Sequence, residues 1–457
     1  MEIVTTNPAT GETLATYDVM PPPAVFQVVE QAHQAYQSWR QIPAQERAQL
    51  VGNLARVLRM QTDSYARLMT REMGKPIAEA RAEVEKCAWL CEFYAEHAPG
   101  WLEDEQVEAD GLWHRVTYQP LGVVLSVMPW NYPFWQALRF AVPTLAAGNT
   151  SILKHASNVT GCALAIESAF AEAGFPSHVF RTILADHQTV AEVIGRDEIQ
   201  GVSLTGSTAV GQRMAELAGR HLKKVVLELG GSDPFIVLED ADIEFAARGA
   251  VTGRTLCTGQ SCIAAKRFIV VREVAGAFSE RFAGLMGALK VGDPLNPDNQ
   301  IGAVVNEQEM ATLQEQLDDA VARGGQVLCG GARLNRPGCF FPPTVVGNTS
   351  ADMRIVREEV FGPIAPIIVV EDEAEAVAVA NASEFGLGGS VWTADLERGE
   401  RVARQLEVGT AFVNSIVKSD PRMPFGGIKK SGLGRELSHF GLREFVNIKG
   451  LSIYRQG

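Results

Sequence analysis

GVSLTGSTAVGQRMAELAGRHLKKVVLELGGSDPFIVL, residues 201–238, is the stretch that decides the fold. It contains three short β-type runs, GVSLTG (201–206), KVVLEL (224–229) and PFIVL (234–238), and LTGSTAVG leads from the first into a helical segment. Runs this apolar belong to strands buried on both faces, and strands separated by helices pack in parallel layers. The same texture continues outward, with VVLSV (123–127) and SILK (151–154) before it and RFIVV (267–271), PIIVV (366–370) and TAFVN (410–414) after it. An α/β protein with parallel sheets is expected.

Nearer the N-terminus, residues 43–72 read as helical, with Leu50, Leu54, Val57 and Leu58 on one stripe and Pro43 in the first turn. The polar stretch LEDEQVEADGLWHRVTYQP (102–120) reads as a protruding hairpin, and a plain surface excursion fits its composition equally well. A chain of 457 residues exceeds one ordinary core, so two or three packed units are expected. Its 46% hydrophobic and 21% charged residues mark a folded globular chain. The net charge of -13 argues against a general nucleic-acid-binding surface, which needs clustered Lys and Arg.

No run of about eighteen apolar residues suggests a membrane span. MEIVTTNPATGE lacks the basic and apolar regions of a signal peptide, so a cytoplasmic protein without membrane partners is expected. Seven cysteines at irregular spacings fit neither a disulfide framework nor paired zinc ligands. Cys87 and Cys91 are four apart on a helical stretch, but no His or second Cys pair lies nearby, and no metal is expected.

Three short stretches carry chemistry. In CTGQSCIAAKRF, Cys262 follows a loop containing Gly259 and precedes a β-type run, where a thiol that meets substrate can act as a nucleophile. Taken alone, a buried inert cysteine is the commoner reading. In LELGGSDPF, Glu228 ends a strand before Gly230 and Gly231, so it can activate water at a tight turn, or simply be solvated. In PWNYPFW (129–135), Asn131 offers an amide donor to a developing oxyanion, or only shapes a turn before Tyr132-Pro133. For a cofactor, GxGxxG is absent; GLGGSV from 386 is a near miss, and the P-loop and GxSxG patterns are also missing. LTGSTAVG instead offers Gly206 and Ser207 at a helix N-terminus, where a pyrophosphate can sit.

NPATGE, PWN, LKHAS, LTGS, LELGG, GQSC, EEVFGP and PFGG follow one another in the order of the aldehyde dehydrogenase superfamily, which the chain resembles over essentially its whole length. Within it, the chain is most similar to succinate-semialdehyde dehydrogenases. The resemblance implies an atypical Rossmann cofactor domain (1–101 with 121–230), an α/β catalytic domain (231–427) and a small β oligomerisation element (102–120 with 428–457) in a homodimer or homotetramer. It implies that Cys262 attacks an aldehyde, that Asn131 and the Cys262 N–H hold the oxyanion, and that collapse to a thioester reduces the nicotinamide. Glu228 then activates water to release the acid. Retention of Glu228 argues against a CoA-acylating relative, and a purely structural role gives no reason to keep nucleophile, base and oxyanion donor together.

The same resemblance places Trp130, Lys154, Ser157, Gly206, Ser207 and Leu229 near the adenosine, phosphates and nicotinamide, Glu359 on the nicotinamide ribose, and Phe361 beside the ring. Arg139 and Ser419 match positions that bind the substrate carboxylate. Leu256 stands where some of these enzymes carry a second Arg, which leaves room for another short semialdehyde or a neutral aldehyde. Ala264 stands where some relatives have a redox-active Cys, so that switch is expected to be missing. Ser157 replaces a Glu common in NAD-preferring relatives, which favours NADP while leaving NAD usable, since the 2′-phosphate is not repelled.

Overall fold

The computed structural model describes residues 2–456, and every apolar run named above falls on a strand of two large sheets. The first has six strands in the spatial order Gly432–Leu433, Lys224–Glu228, Ile199–Thr205, Val123–Met128, Thr150–His155 and Phe180–Thr182. All neighbours are parallel except Gly432–Leu433, which runs antiparallel to Lys224–Glu228. The chain starts at Val123–Met128, winds outward through Thr150–His155 and Phe180–Thr182, and then resumes on the other side with Ile199–Thr205. That reversal opens a crevice at the carboxyl ends of the two adjoining strands. PWN and LTGS follow directly from those ends.

The second sheet has seven strands in the order Gln326–Cys329, Thr344–Gly347, Ile364–Val370, Ala265–Val271, Asp233–Val237, Gly388–Trp392 and Thr410–Val413, of which only Gln326–Cys329 is antiparallel. Two-sided burial explains why the strands read as continuous apolar runs. Val123 and Leu125 pack with Val25, Val28 and Val29 of the helix Pro22–Trp39, whereas Val124 and Met128 pack with Leu138 and Ala141 of the helix Pro133–Ala146. Each such side chain stabilises the fold by about 1.5–3 kcal/mol relative to exposure.

Residues 43–72 are helical as the apolar stripe suggests, in two helices, Ala44–Met60 and Thr62–Met73, that break at Gln61. Gln61 leaves the helical region at φ -104°, ψ 9°, and the Thr62 hydroxyl donates back to the Leu58 and Arg59 carbonyls at 3.2 and 3.0 Å. Pro43 precedes the first helix instead of entering it, and Leu54 and Leu58 are buried with Val51 while Leu50 and Val57 are only half-buried.

Residues 102–120 contain the hairpin, with Glu105–Val107 antiparallel to Trp113–Pro120, and Val446–Ile453 pairs along the other edge. The rest of the C-terminal stretch lies elsewhere. Ile428–Lys429 pairs with Phe385–Gly386, and Gly432–Leu433 closes the six-stranded sheet. Among the described residues, no helix is long and apolar enough to cross a membrane.

Candidate functional site

Cys262 sits at the end of a loop that leads into the strand Ala265–Val271, at the edge of the second sheet that faces the first. Three successive residues of that loop, Cys257, Thr258 and Gly259, have left-handed φ values of 56°, 58° and 77°. For a β-branched threonine this backbone costs on the order of 1–3 kcal/mol, and it persists only if its surroundings over-determine it. They do. The Glu79 carboxylate accepts the Cys257 N–H at 2.6 Å, and Thr258 Oγ1 accepts the Gly302 N–H at 3.0 Å. The Gln260 side chain donates to the Cys257 and Ala303 carbonyls and accepts from Val305 N. A Cβ at residue 259 would lie 2.5 Å from the Gly362 carbonyl carbon, so only glycine fits there. Beneath the thiol, Lys266 Nζ donates to the Ser261 and Cys262 carbonyls at 2.9 and 2.6 Å.

The half-buried Cys262 thiol lines two cavities at once. Burial pushes its pKa up to about 12, against the opposing charges of Lys266 and Arg139. The first cavity lies at the crevice of the six-stranded sheet and holds Trp130, Asn131, Gly206, Ser207, Glu228, Leu229, Glu359 and Phe361 with Cys262. All three residues with expected chemical roles thus share one space with six of the eight expected cofactor residues. Lys154 and Ser157 are not on its wall; they lie at the end of the adjacent strand, where Val127 is in register with Lys154. Lys154 is buried, which lowers its pKa, while Ser157 is exposed.

Within that cavity, Asn131 is fixed in orientation: its Nδ2 donates to the Gln260 carbonyl at 2.9 Å and its Oδ1 accepts from Gln136 Nε2 at 3.1 Å. One N–H of the amide stays uncommitted by these bonds. Glu228 ends its strand opposite Thr205 and Gly432, buried, with neither carboxylate oxygen hydrogen-bonded. Burial raises its pKa well above the ordinary carboxylate range, and the nearby charge of Glu436 raises it further. Such an orphaned carboxylate binds a proton more readily than a solvated one.

The residues fit a dinucleotide. Ser207 caps the helix Thr208–Arg220, whose N-terminal N–H groups and dipole favour a phosphate. Glu359 Oε1 accepts the Gly231 N–H at 3.0 Å and pairs with Lys266 at 3.2 Å, so its carboxylate is held at the mouth of the cavity. Its other oxygen touches the place a Cβ of residue 230 would occupy, which explains the glycine there. Trp130 and Phe361 meet edge to face at 5.7 Å.

The second cavity holds Arg139, Leu256, Cys262, Ser419 and Phe425, together with residues that the sequence did not single out: Glu79, Lys86, Tyr132, Trp135 and Gln136. Arg139 is not a free cation. Its Nε is paired with Glu436, Nη2 reaches Thr205 Oγ1 at 3.5 Å, and the guanidinium lies 4.8 Å over the Phe425 ring. Ser419 Oγ accepts from Lys86 Nζ at 2.8 Å. Lys86 and Glu79 stand on the helix Ile77–Trp101, far from every motif, and no local pattern marks them.

The description "aldehyde dehydrogenase family" belongs to the family model that matches residues 1–451. A probable succinate-semialdehyde dehydrogenase [NADP(+)] of Synechocystis is 47% identical, covering 98% of this chain and 99% of the relative. The succinate semialdehyde dehydrogenase [NAD(P)+] Sad of Escherichia coli K12 is 44% identical, covering 98% and 96%. Among solved structures, succinic semialdehyde dehydrogenase of Streptococcus pyogenes in complex with NADP+ superposes with a TM-score of 0.97 at 37% identity, covering 99% of this chain and 100% of that one. With a thiol between two cavities, an orphaned carboxylate beside it and agreement over the whole length, the chain belongs to the aldehyde dehydrogenase family.

Proposed function

We propose that this protein oxidises succinate semialdehyde to succinate, with NADP+ preferred and NAD+ usable, through a Cys262 thioester hydrolysed by Glu228-activated water. The observation that carries the reading is one thiol shared by two cavities, with an unpaired buried carboxylate in one and cations in the other. The names of the Synechocystis, Escherichia coli and Streptococcus relatives support the semialdehyde and the phosphorylated cofactor.

In this reading Cys262 Sγ bonds to the aldehyde carbon as its thiol proton passes to solvent water in the cavity, the C=O π pair moves onto oxygen, and the developing oxyanion takes hydrogen bonds from Asn131 Nδ2 and the Cys262 N–H. When bound, the nicotinamide supplies the two-electron acceptor that converts this adduct to a thioester. Glu228 draws a proton from water as the water attacks the thioester, a task suited to a carboxylate whose proton affinity is raised by burial. Trp130, Leu229 and Phe361 pack the cofactor, Gly206 and Ser207 take its phosphates and Glu359 its ribose. Lys154 and Ser157 receive the 2′-phosphate, and Arg139 and Ser419 face the substrate carboxylate.

We take the cofactor unit as 1–101 and 121–230, the catalytic unit as 231–427, and the oligomerisation element as 102–120 with 428–457, of which Val446–Ile453 joins the hairpin while Ile428–Lys429 and Gly432–Leu433 tie the stretch to the other two units. The open edge of Val446–Ile453, with Ile448 61% exposed, supports a second copy docking there in a homodimer or homotetramer. All seven cysteines are free, which supports a reducing, cytoplasmic setting.

The test is an aldehyde panel with each nicotinamide cofactor, following reduced cofactor and acid product. Succinate semialdehyde with NADP+ is expected to give the highest kcat/KM. Product appearing only with added CoA, or no oxidation of any aldehyde, would overturn the reading.

A further inference from the structure

Arg139 shares its charge with Glu436, and Leu256 brings no charge to the same cavity, so a further cation on the wall beside Cys262 would strengthen its hold on an anionic substrate. Two more lysines line it, the exposed Lys418 and the half-buried Lys86, and Lys86 is the one held in place by contacts inside the cavity. It lies on the face of the helix Ile77–Trp101 that also presents Glu79, Ala82 and Glu83 to the cavity, at the spacing that aligns residues along one side of a helix. Its Nζ stands 4.1 Å over the Trp135 ring centroid and donates to Ser419 Oγ at 2.8 Å. Among the described residues, no carboxylate lies within 4.0 Å of that Nζ. The neighbouring Glu83 is occupied: it pairs with the buried Lys75 and accepts the Phe134 and Trp135 N–H groups. Asp420 pairs with Arg422.

We infer that Lys86, with Ser419 as its hydrogen-bonding neighbour, is a further specificity-determining anchor for the substrate's carboxylate, beside Arg139, whose guanidinium is shared with Glu436. The inference rests on the semialdehyde reading above. An ammonium over an aromatic face, bonded only to a neutral hydroxyl, keeps two N–H donors for an incoming anion. The carboxylate end of a short semialdehyde held there leaves its aldehyde carbon directed toward Cys262, since both residues line one cavity.

Burial, reinforced by the positive charge of Arg139, pushes the Lys86 pKa down to about 8, while Cys87, Glu83 and Asp420 act in the opposite direction. A bound carboxylate favours the charged form and raises that value. The free enzyme therefore loses its anchor as pH rises through about 8, whereas Cys262 becomes a better nucleophile toward its own pKa of about 12.

The experiment compares succinate semialdehyde with butanal, a neutral aldehyde of equal chain length, in wild type, Lys86→Met and Lys86→Arg. Lys86→Met is expected to raise KM for the semialdehyde roughly ten- to a hundredfold with kcat little changed, as for loss of a charge-assisted contact made in ground and transition states alike. Butanal kinetics should stay put, which also reports an intact fold, and Lys86→Arg should restore most of the preference. In wild type, kcat/KM for the semialdehyde should bend downward above pH 8 while that for butanal keeps rising. If wild type prefers the semialdehyde and Lys86→Met keeps that preference, or loses both substrates equally, the role of Lys86 is overturned and the substrate reading stands. If wild type takes both aldehydes equally well, the substrate reading itself fails and the inference falls with it.

Discussion

The cavity that holds Glu228 is walled by short consecutive runs of chain, 129–131, 205–207 and 228–230, each just beyond or at the end of a strand in one parallel sheet. The cavity that holds Lys86 is assembled from side-chain tips on two helices, on the loop around Cys262 and on residues 417–419 and 425. Both end at the same thiol. On the cofactor side, position is set by the sheet and the turn that follows each strand, so backbone N–H groups and a few carboxylates suffice. On the substrate side, position is set by how distant elements pack, and a single side chain such as Lys86 or Leu256 changes what the cavity accepts. One side is suited to a task shared with many relatives, the other to the choice of aldehyde.

The shared wall gives the largest expected effect. Cys262→Ala should abolish oxidation of every aldehyde with either cofactor, because no other thiol lines both cavities. Cys257, the nearest alternative in sequence, is fully buried, donates to the Asn131 carbonyl at 3.2 Å, and has its pKa pushed up to about 12 by burial. Residual turnover with an ordinary substrate preference in Cys262→Ala would show that the two cavities do not meet at the reacting atom.

Glu228→Gln tests the cofactor side alone. The amide keeps size and burial but cannot take a proton, so thioester formation should survive as a burst of reduced cofactor. The steady state that follows should slow by roughly 10²- to 10⁴-fold, the usual worth of a general base. Rapid-mixing absorbance separates the two phases. An undiminished steady state would remove Glu228 from its role and leave its unpartnered burial unexplained.

The contrast between the walls also explains what could be read from the sequence. PWN, LTGS and LELGG were legible because each sits where a strand ends, and a strand's apolar run announces that end. Cys262 was legible by the run that follows it, although the left-handed backbone at Cys257 and Thr258 was not, since neither residue type favours that conformation. The strain is held by Glu79, Thr258 and Gln260 contacts spanning much of the chain, which no local window contains. The resemblance marks Arg139 as a carboxylate ligand, but not its ion pair with Glu436, which lies almost three hundred residues away in sequence. Lys86 carried no signal at all. The helical character of residues 43–72 was legible from their apolar stripe, whereas the break at Gln61 is marked only by the Thr62 hydroxyl and the local φ/ψ.

The smallest effect concerns a residue at the rim of the cofactor side, outside the wall shared with Cys262. Ser157 opens a short 3-10 turn directly after the strand Thr150–His155, is exposed, and has no charge to set against an incoming phosphate. Lys154, three residues earlier, is buried with its pKa lowered, so an anionic partner would restore stability to its charged form. Replacing Ser157 by Glu puts a negative charge where the 2′-phosphate of NADP+ would approach. Two unit charges about 4 Å apart interact by about 4 kcal/mol at an effective dielectric of 20. Exposure and salt reduce this by about half, which still leaves at least roughly a tenfold effect. Ser157→Glu should therefore lower kcat/KM with NADP+ at least about tenfold relative to NAD+, and leave the preference among aldehydes unchanged because Lys86 and Arg139 lie across the thiol in the other cavity. Titration of both cofactors against wild type and variant reads the ratio directly. A wild type that already prefers NAD+, or a ratio that does not move, would mean that contacts other than charge at residue 157 set the choice. A shift in aldehyde preference would mean that the two walls are not independent.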